Sequence, residues 1–253
     1  MENNIDKKIP LTAHLEELKK RLIRVLIVLG LGFVVCYIFH DWSFNIITKP
    51  ALPYTGPMIY TSPTEAFFVY MKIAFFASLF LTSPYTFFQI WEFISPGLYR
   101  KEKRYVVPFV ISASLLFISG ALFCYFLILP LAVKFFMSFA TDALKPMISF
   151  REYFGLAFRF MLVFGISFEL PVFVFFLAKI GIVNAAMLRR HRRYAILIFF
   201  IAAAFLTPDP SALTQTLMAI SLVILYEISI FLAKIAGRKK TSTADTEKEE
   251  TST

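Results

Sequence analysis

The sequence contains few residues of the kinds that bind metals or cofactors. Its 253 residues include two cysteines and three histidines, and neither Cys36 nor Cys124 has a neighbour at the spacing of a metal site or a redox motif. Both cysteines lie inside apolar runs, which favours their interpretation as small hydrophobic side chains. The sequence also lacks a phosphate-binding glycine loop and a catalytic Ser/His/Asp set. We therefore expect no metal, no other cofactor and no enzymatic activity.

Charged residues are scarce as well, at 17% of the chain, whereas 58% of the residues are hydrophobic and 31 are Phe. That is more apolar surface than one soluble core of this size can bury. A helix needs about 20 apolar residues to cross a hydrocarbon layer of about 30 Å, whereas β-barrel strands alternate apolar and polar residues over about 10 residues. The pattern predicts an all-α polytopic membrane domain over residues 1–237 with six transmembrane helices, at about 22–40, 70–94, 106–128, 155–181, 194–206 and 213–233.

The formal net charge of +9 does not indicate a nucleic-acid partner, because the basic residues are confined to alternate loops. They cluster before span 1, between spans 2 and 3, between spans 4 and 5, and after span 6. Cytoplasmic loops of membrane proteins carry the excess of Lys and Arg, so both termini are predicted to be cytoplasmic. Residues 1–12 do not resemble a cleavable signal peptide, and we expect the first span to be retained.

Shorter segments at both ends of the chain also have distinct patterns. Residues 12–21 are predicted to form an amphipathic helix at the cytoplasmic surface, with Leu15, Leu18 and Leu22 on one face. Residues 238–253 are rich in Ser, Thr and Glu, which predicts a disordered cytoplasmic tail.

Prolines punctuate the loop after span 1 and two of the spans. Residues 50, 53, 57 and 63 are prolines, which predicts a rigid, non-helical cap between spans 1 and 2. Within the spans, Pro84 and Pro171 each remove one helix hydrogen bond, so kinks are expected there. Bent helices of this kind predict a concave arrangement of the six spans.

The fifth span is short. From Tyr194 to Leu206 it has 13 residues, or roughly 20 Å at about 1.5 Å per residue. The uninterrupted apolar stretch of span 6, between Gln215 and Glu227, is short as well. Such a mismatch predicts local thinning of the bilayer; in the alternative interpretation, snorkelling side chains and packing absorb it.

Glu169 is the one charged residue in the apolar run from Phe160 to Leu177. A charged carboxylate near the centre of a spanning helix costs on the order of 2.5–3.5 kcal/mol, so such residues usually face a cavity, a polar partner or a substrate. Glu169 is therefore the first candidate for a functional residue.

Two cytoplasmic segments combine acidic with basic residues. Before span 1, Glu16 and Glu17 lie four residues before Lys20 and Arg21, a spacing typical of ion pairs on a helix surface. Between spans 2 and 3, Glu102 stands among four basic residues. Spacing alone favours a structural role for these acids, as surface ion pairs or as local neutralisation of charge.

Four strings in order along the chain, however, resemble one family, the C subunit of the twin-arginine protein translocase, which exports folded proteins. Each string is weakly specific alone, but four of them in order within six spans make accidental agreement improbable. The strings are His14–Leu18, Phe93–Tyr99 with Glu102, Ser167–Pro171, and Leu206–Asp209 with Gln215–Leu217.

The resemblance implies a receptor and core subunit in the bacterial cytoplasmic (inner) membrane. In this family a cytoplasmic acidic patch receives the paired arginines of the signal peptides of folded cargo, and this patch corresponds to Glu17 and Glu102. Four further residues lie in the same motifs and are expected to shape the site: His14, Leu18, Lys19 and Phe93.

The resemblance also implies contacts within the membrane. Glu169 and Gln215 are expected to contact polar groups of the signal peptide and of single-span partner subunits of the TatA and TatB type, in an oligomeric complex surrounded by lipid. The family uses the transmembrane proton-motive force. Structural roles are expected for Pro50, Pro84, Pro171 and Asp209.

Two other classes stay open from the residues alone. A proton- or ion-coupled small-solute transporter would use Glu169 as its coupling carboxylate, but the internal repeats typical of such transporters are not visible. A membrane enzyme would pair Glu169 with His14 or His40, although both histidines lie at the ends of spans.

Overall fold

The structure, a computed structural model, describes the backbone of residues 11–56, 58–94, 106–141, 146–206 and 211–250. Within these ranges it describes most of the side chains from residue 15 to residue 236. Nearly all of this backbone is helical. The described ranges contain no strand, although an isolated β-bridge pairs Ile59 with Ser149. The predicted all-α class is therefore confirmed.

The described residues form eleven α-helices and one π-helical turn. In chain order they are α1 (Leu11–Ile38), α2 (His40–Thr48), α3 (Leu52–Thr55), α4 (Pro63–Ile94), α5 (Val106–Phe123), a π-helical turn (Cys124–Ile128), α6 (Leu129–Met137), α7 (Phe150–Phe168), α8 (Leu170–Ile180), α9 (Ala185–Arg190), α10 (Arg192–Leu206) and α11 (Ala212–Glu250).

Within the described ranges, six apolar helical stretches follow the order of the six predicted spans. α10 has 15 residues, which corresponds to roughly 22 Å, and it is the short element predicted at span 5. Five stretches among the described residues are long and apolar enough to cross a bilayer: Leu15–Ile38, Pro63–Phe93, Val107–Met137, Phe150–Ile180 and Ala212–Ala236.

The ends of the first and last spans differ from the sequence-based boundaries. Residues 12–21 are not a separate element but the first turns of the continuous helix α1, because a change from an amphipathic to an apolar pattern does not itself interrupt backbone hydrogen bonds. At the other end, the α11 backbone continues to Glu250, past the predicted end of the membrane domain at residue 237. The disordered tail stays a prediction.

The loop after span 1 contains helices, so the predicted non-helical cap was wrong. Pro50 lies in the turn after α2. Pro53 lies in the first turn of α3, and Pro63 is the first residue of α4. Proline is tolerated in the first turn of a helix, since the N–H group that it lacks would have no partner there.

The two prolines within the spans have different local consequences. α4 continues through Pro84, and the Ser83 hydroxyl donates to the Phe80 carbonyl at 2.8 Å, the acceptor that Pro84 leaves without its N–H donor. At Pro171 the helix is interrupted, because α7 ends at Phe168 and α8 begins at Leu170.

Contacts divide the chain into two compact units. The first comprises Met1–Ser43 and Tyr70–Ser114. Here α1 lies close to α4 at Gly32, where an added Cβ would come within 2.9 Å of the Thr82 side chain. Farther along α4, the indole of Trp91 packs on Phe109 with ring centroids 4.3 Å apart.

The second unit comprises Phe44–Val69 and Leu115–Thr253. At its centre, α5 and α7 cross almost backbone to backbone: a Cβ added to Gly120 would lie 2.6 Å from the Phe164 carbonyl oxygen, and one added to Gly165 would lie 2.8 Å from the Phe117 ring. The surrounding core consists of Cys124, Ile128, Ala132, Phe160, Phe164, Ala203, Met218, Ala219 and Leu222.

Candidate functional site

The first candidate site is a cluster of polar side chains where α1 begins and α4 ends. From the close approach at Gly32, α1 runs back about three turns to Arg21, and α4 runs forward about three turns from Thr82 to Glu92. The two helices are therefore adjacent at this end as well, and their side chains meet.

Arg21 is the centre of this cluster. Its Nε donates to Glu17 Oε1 at 3.1 Å, and its Nη2 donates to the same oxygen. Its Nη1 donates to Gln89 Oε1 at 3.3 Å and also to Glu92 Oε2. The Arg21 side chain is 12% exposed, compared with 30% for Glu17 and 43% for Glu92. One guanidinium thus joins acceptors from both helices.

The i,i+4 ion pairs expected from spacing are present on α1. Glu17 pairs with Arg21, and Lys20 pairs with Glu16 at 2.8 Å. Both pairs bear out the structural interpretation of this segment. The Glu17 side chain is partly exposed and its Oε2 accepts no hydrogen bond from the described residues, so this oxygen is accessible to further donors.

The other residues predicted for this site have different surroundings. Leu18 is 43% exposed, Lys19 is exposed and Phe93 is half-buried at the end of α4. The His14 side chain and Glu102 lie outside the described residues. The structure therefore brings Glu17 to the end of α4, the helix from which the chain continues towards Glu102.

Sequence reasoning missed Gln89 and Glu92. The residues between Lys72 and Glu92 include no charged side chain. Glu92 is thus the first charge after a long uncharged run, and this position was the signal that could have identified it. Gln89 is 4% exposed, and a buried amide so close to a charged cluster fits the rule that buried polar groups are hydrogen-bonded.

The second candidate site surrounds Glu169, which lies between α7 and α8. Its N–H donates to the Ile166 carbonyl at 3.1 Å and its carbonyl accepts from the Phe173 N–H at 2.9 Å. Its side-chain atom Oε1 is buried and has no hydrogen-bond partner in the described part of the chain. Glu169 follows Gly165 by one helical turn, so the carboxyl group adjoins the close crossing of α5 and α7.

Gln215 was predicted to contact partner helices together with Glu169, and Asp209 was predicted to have a structural role. The Gln215 side chain donates through Nε2 to the Phe200 carbonyl of α10 at 3.2 Å, and within the described residues it makes no bond to Glu169. Phe168, which precedes Glu169, and Leu217, two residues after Gln215, pack against the same apolar core. Asp209 lies outside the described residues.

A further buried carboxylate, Glu65, was not predicted. Its Oε2 accepts from the Thr61 N–H at 2.7 Å and the Thr61 hydroxyl at 2.8 Å. Its Oε1 accepts from the Arg151 N–H at 2.8 Å and from the Ser149 hydroxyl. Glu65 is 4% exposed and stabilises two helix N-termini at once, those of α4 and α7. Its complete set of donors indicates an architectural role.

Comparison with known proteins identifies the family. The family model described as Sec-independent protein translocase protein (TatC) matches residues 13–220. The Sec-independent protein translocase protein TatC of Desulforapulum autotrophicum is 45% identical over 240 residues, covering 94% of this chain and 88% of that protein. Its counterpart in Aquifex aeolicus is 41% identical over 235 residues, covering 91% of this chain and 97% of that protein.

Solved structures agree. A crystal structure of the twin arginine translocase receptor TatC has a TM-score of 0.77 and 40% identity, covering 88% of this chain and 99% of that chain. A crystal structure of the same receptor in DDM gives a TM-score of 0.78 and 39% identity. The family predicted from the four sequence strings is confirmed: the chain belongs to the TatC family of multi-pass membrane proteins, which are components of the Sec-independent, twin-arginine protein translocase.

Proposed function

We propose that this chain is the subunit that binds twin-arginine signal peptides and recruits single-span partner subunits, so that folded proteins are exported at the expense of the proton-motive force. The observation that carries the proposal is the accessible carboxylate of Glu17, which lies against the end of α4 from which the chain leads to Glu102. With Glu102, in the segment that follows α4, the protein offers two acids for the two arginines of such a peptide.

The chemistry of the guanidinium group explains the specificity. Arginine forms planar, bidentate, charge-assisted hydrogen bonds with a carboxylate, whereas lysine presents a compact ammonium group without that geometry. The Arg21 guanidinium already binds Glu17 in this protein, which supports the suitability of Glu17 as an acceptor for a second such group.

The proposed orientation follows from charge. The basic residues cluster in alternate loops, and the positive-inside rule assigns these loops and both termini to the cytoplasm. In a bacterial cytoplasmic membrane, the Glu17 cluster then faces the compartment in which signal peptides arrive.

Contacts inside the membrane complete the proposal. Glu169 has a buried oxygen without a partner among the described residues. The Gln215 side chain is half-buried and uses its Nε2 on the Phe200 carbonyl, so its oxygen is left for another donor. A polar group on the transmembrane helix of a partner subunit or signal peptide would satisfy them. Such hydrogen bonds contribute about 0.6–2 kcal/mol each, which suits reversible recruitment within an oligomeric complex.

Peptide binding tests the receptor role. The full-length protein in detergent is titrated with a fluorescent twin-arginine signal peptide and with a Lys-Lys peptide of otherwise identical sequence. We expect Glu17→Gln and Glu102→Gln to weaken binding of the Arg-Arg peptide by about tenfold or more, with little effect on the Lys-Lys peptide. Glu16→Gln on the neighbouring position of α1 is the matched control. Equal binding of both peptides by the unmodified protein would refute the proposal.

A further inference from the structure

The helix α7 carries a charged residue, Arg159, within its membrane-spanning part. The apolar stretch Phe150–Ile180 has 31 residues, or roughly 46 Å at about 1.5 Å per residue, which exceeds a hydrocarbon core of about 30 Å. Arg159 follows Phe150 by nine residues, or roughly 13 Å. With the stretch centred on the bilayer, the Arg159 backbone lies a few ångströms inside the hydrocarbon, on the side at which α7 begins.

The Arg159 side chain faces outward from the protein. It is exposed, whereas the residues on either side of it, Phe158 and Phe160, are each 2% exposed. Ile166, two helical turns farther on and on the same face, is 59% exposed. An apolar side chain exposed on a spanning helix contacts lipid, so the Arg159 side chain is directed towards lipid as well.

The guanidinium group of Arg159 has no partner in the part of the chain that the structure describes. It takes part there in no hydrogen bond and no ion pair. The exposed Glu152 lies on the same face, but it is two helical turns away, or about 10 Å along the axis, which is too far for an ion pair. A charged group in hydrocarbon is costly unless it pairs or reaches the membrane surface, so Arg159 requires an anion from outside this chain.

The side chain has an open path to the nearer membrane surface. Side chains of a helix lean towards its N-terminus, which for Arg159 is the direction of the nearer edge of the hydrocarbon. Gly155, one turn away in that direction, has no side chain, and a Cβ added there would meet nothing within 4 Å. A long basic side chain in this position extends its charged end to the level of the lipid headgroups, where phosphates are the anions.

The helix α4 has a cation in the corresponding position. Lys72 follows Pro63, the first residue of α4, by nine residues and is exposed. Phe68 and Phe75 on the same face are 59% and 43% exposed. Within the described residues Lys72, like Arg159, takes part in no hydrogen bond or ion pair. Two helices thus place an exposed cation at the same distance from their starts, which favours lipid as the common partner over a protein specific to one helix.

We propose that Arg159 binds the phosphate of a phospholipid in the leaflet nearer the start of α7. Its planar guanidinium donates two parallel hydrogen bonds to a phosphate group, which compensates its charge at the edge of the hydrocarbon. Glu169 directly follows the last residue of α7, Phe168. The lipid contact therefore also fixes the depth at which Glu169 lies in the membrane, and this role does not depend on signal-peptide binding.

Photolabelling with lipids tests this site. The full-length protein in maltoside micelles, which contain no phosphate, is mixed with a limiting amount of phosphatidylglycerol that carries a photoreactive group at the top of one acyl chain. Labelled peptides are identified by mass spectrometry. We expect labelling of the α7 segment around Arg159 to fall about fivefold in Arg159→Gln, which lacks the charge, and to stay within about twofold in Arg159→Lys, which keeps it.

Two controls separate phosphate binding from other effects. A photoreactive diacylglycerol with the same acyl chains lacks the phosphate and should label α7 equally in the unmodified protein and in Arg159→Gln. Labelling by phosphatidylglycerol at Arg189 and Arg190, which lie in α9 beyond the far end of α8, should also be equal in the two proteins. Melting curves establish that each variant is folded; if Arg159→Gln is unfolded, Arg159→Met gives the same comparison.

Three results would overturn the inference. The first is unchanged labelling of α7 by phosphatidylglycerol in Arg159→Gln. The second is an equal fall with diacylglycerol, which would show that Arg159 affects the packing of acyl chains and not the recognition of phosphate. The third is unchanged lipid labelling together with a loss of co-purified single-span subunits from Arg159→Gln, which would assign Arg159 to a protein partner.

Discussion

Glu65 and Glu169 are two carboxylates of this helical protein, and they differ in their hydrogen bonding. Glu65 accepts hydrogen bonds from four donors: two from Thr61, which lies two residues before α4, and one each from Ser149 and Arg151 at the start of α7. Glu169 Oε1 is buried without a partner in the described residues. An unpaired buried polar atom costs free energy. The comparison indicates that Glu65 maintains the fold, whereas Glu169 has an unsatisfied oxygen that has no such structural role among the described residues.

The strongest test of this contrast is removal of Glu65. Glu65→Ala leaves donors at two helix ends without an acceptor, and we expect the free energy of unfolding to fall by about 3 kcal/mol. Chemical unfolding in detergent, followed by circular dichroism, measures it. Glu152→Ala, which removes an exposed acid from the start of α7, is the control and should change stability by less than about 0.5 kcal/mol. Equal effects of the two substitutions would contradict an architectural role for Glu65.

The helix crossing beside Glu169 provides the next test. Gly120→Val would place a Cβ within 2.6 Å of the Phe164 carbonyl oxygen, so α5 and α7 must separate, at a cost of about 2 kcal/mol. Gly155→Val is the matched control, because a Cβ there meets nothing within 4 Å. Because the crossing adjoins Glu169, recovery of partner subunits with the purified protein should fall together with stability in Gly120→Val. A stable variant with normal recruitment would show that the close crossing does not position Glu169.

Replacement of Glu169 should separate stability from function. In Glu169→Leu the unpaired oxygen is removed, and we expect the protein to become more stable by about 1 kcal/mol while the amount of co-purified partner subunit decreases. Melting temperature and the subunit ratio on a denaturing gel measure the two effects. A loss of stability of the size predicted for Glu65→Ala would instead show that Glu169 is paired in the membrane and would end the contrast between the two residues.

The smallest expected effect concerns a carbonyl group rather than a carboxylate. Ser83→Ala removes the donor to the Phe80 carbonyl, which has lost its helical partner to Pro84, and should cost about 0.6 kcal/mol. Ser112→Ala removes a similar bond, to the Phe109 carbonyl at 3.0 Å, but residue 113 is not proline, so a smaller change is expected. Pro84→Ala in the Ser83→Ala background should restore stability, as measured by thermal unfolding; failure to do so would assign the effect of Ser83 to packing.

The spans could be predicted from the sequence because the bilayer requires a minimum length of apolar helix. Even the short α10 followed from the distance between Arg193 and the next proline turn. The Glu17–Arg21 pair could be predicted for a similar reason, since residues four apart share a helix face. The helices after span 1 could not, because proline was interpreted as a helix breaker at positions where it begins one.

Long-range partners were the main omission. Glu92 lies 71 residues from Arg21, and Ser149 lies 84 residues from Glu65. No local pattern links such pairs. In each case the sequence showed one member of the pair as an ordinary charged residue near a helix end, and only the packing of helices supplied the other member.

The π-helical turn at Cys124–Ile128 has a consequence for how this helix can vary. Such a turn holds one residue more than regular α-helix, and a shift of one residue rotates the side chains that follow by about 100°. Leu129, Ala132 and Val133 are buried on the far side of the turn, and Cys124 and Ile128 are buried within it. Because the turn already absorbs this extra residue, deleting one residue here would restore a regular α-helix and keep Leu129, Ala132 and Val133 on the buried face. A deletion in the regular helix before the turn would instead rotate that face towards lipid, so this turn is the place where the helix can lose a residue without disturbing the core.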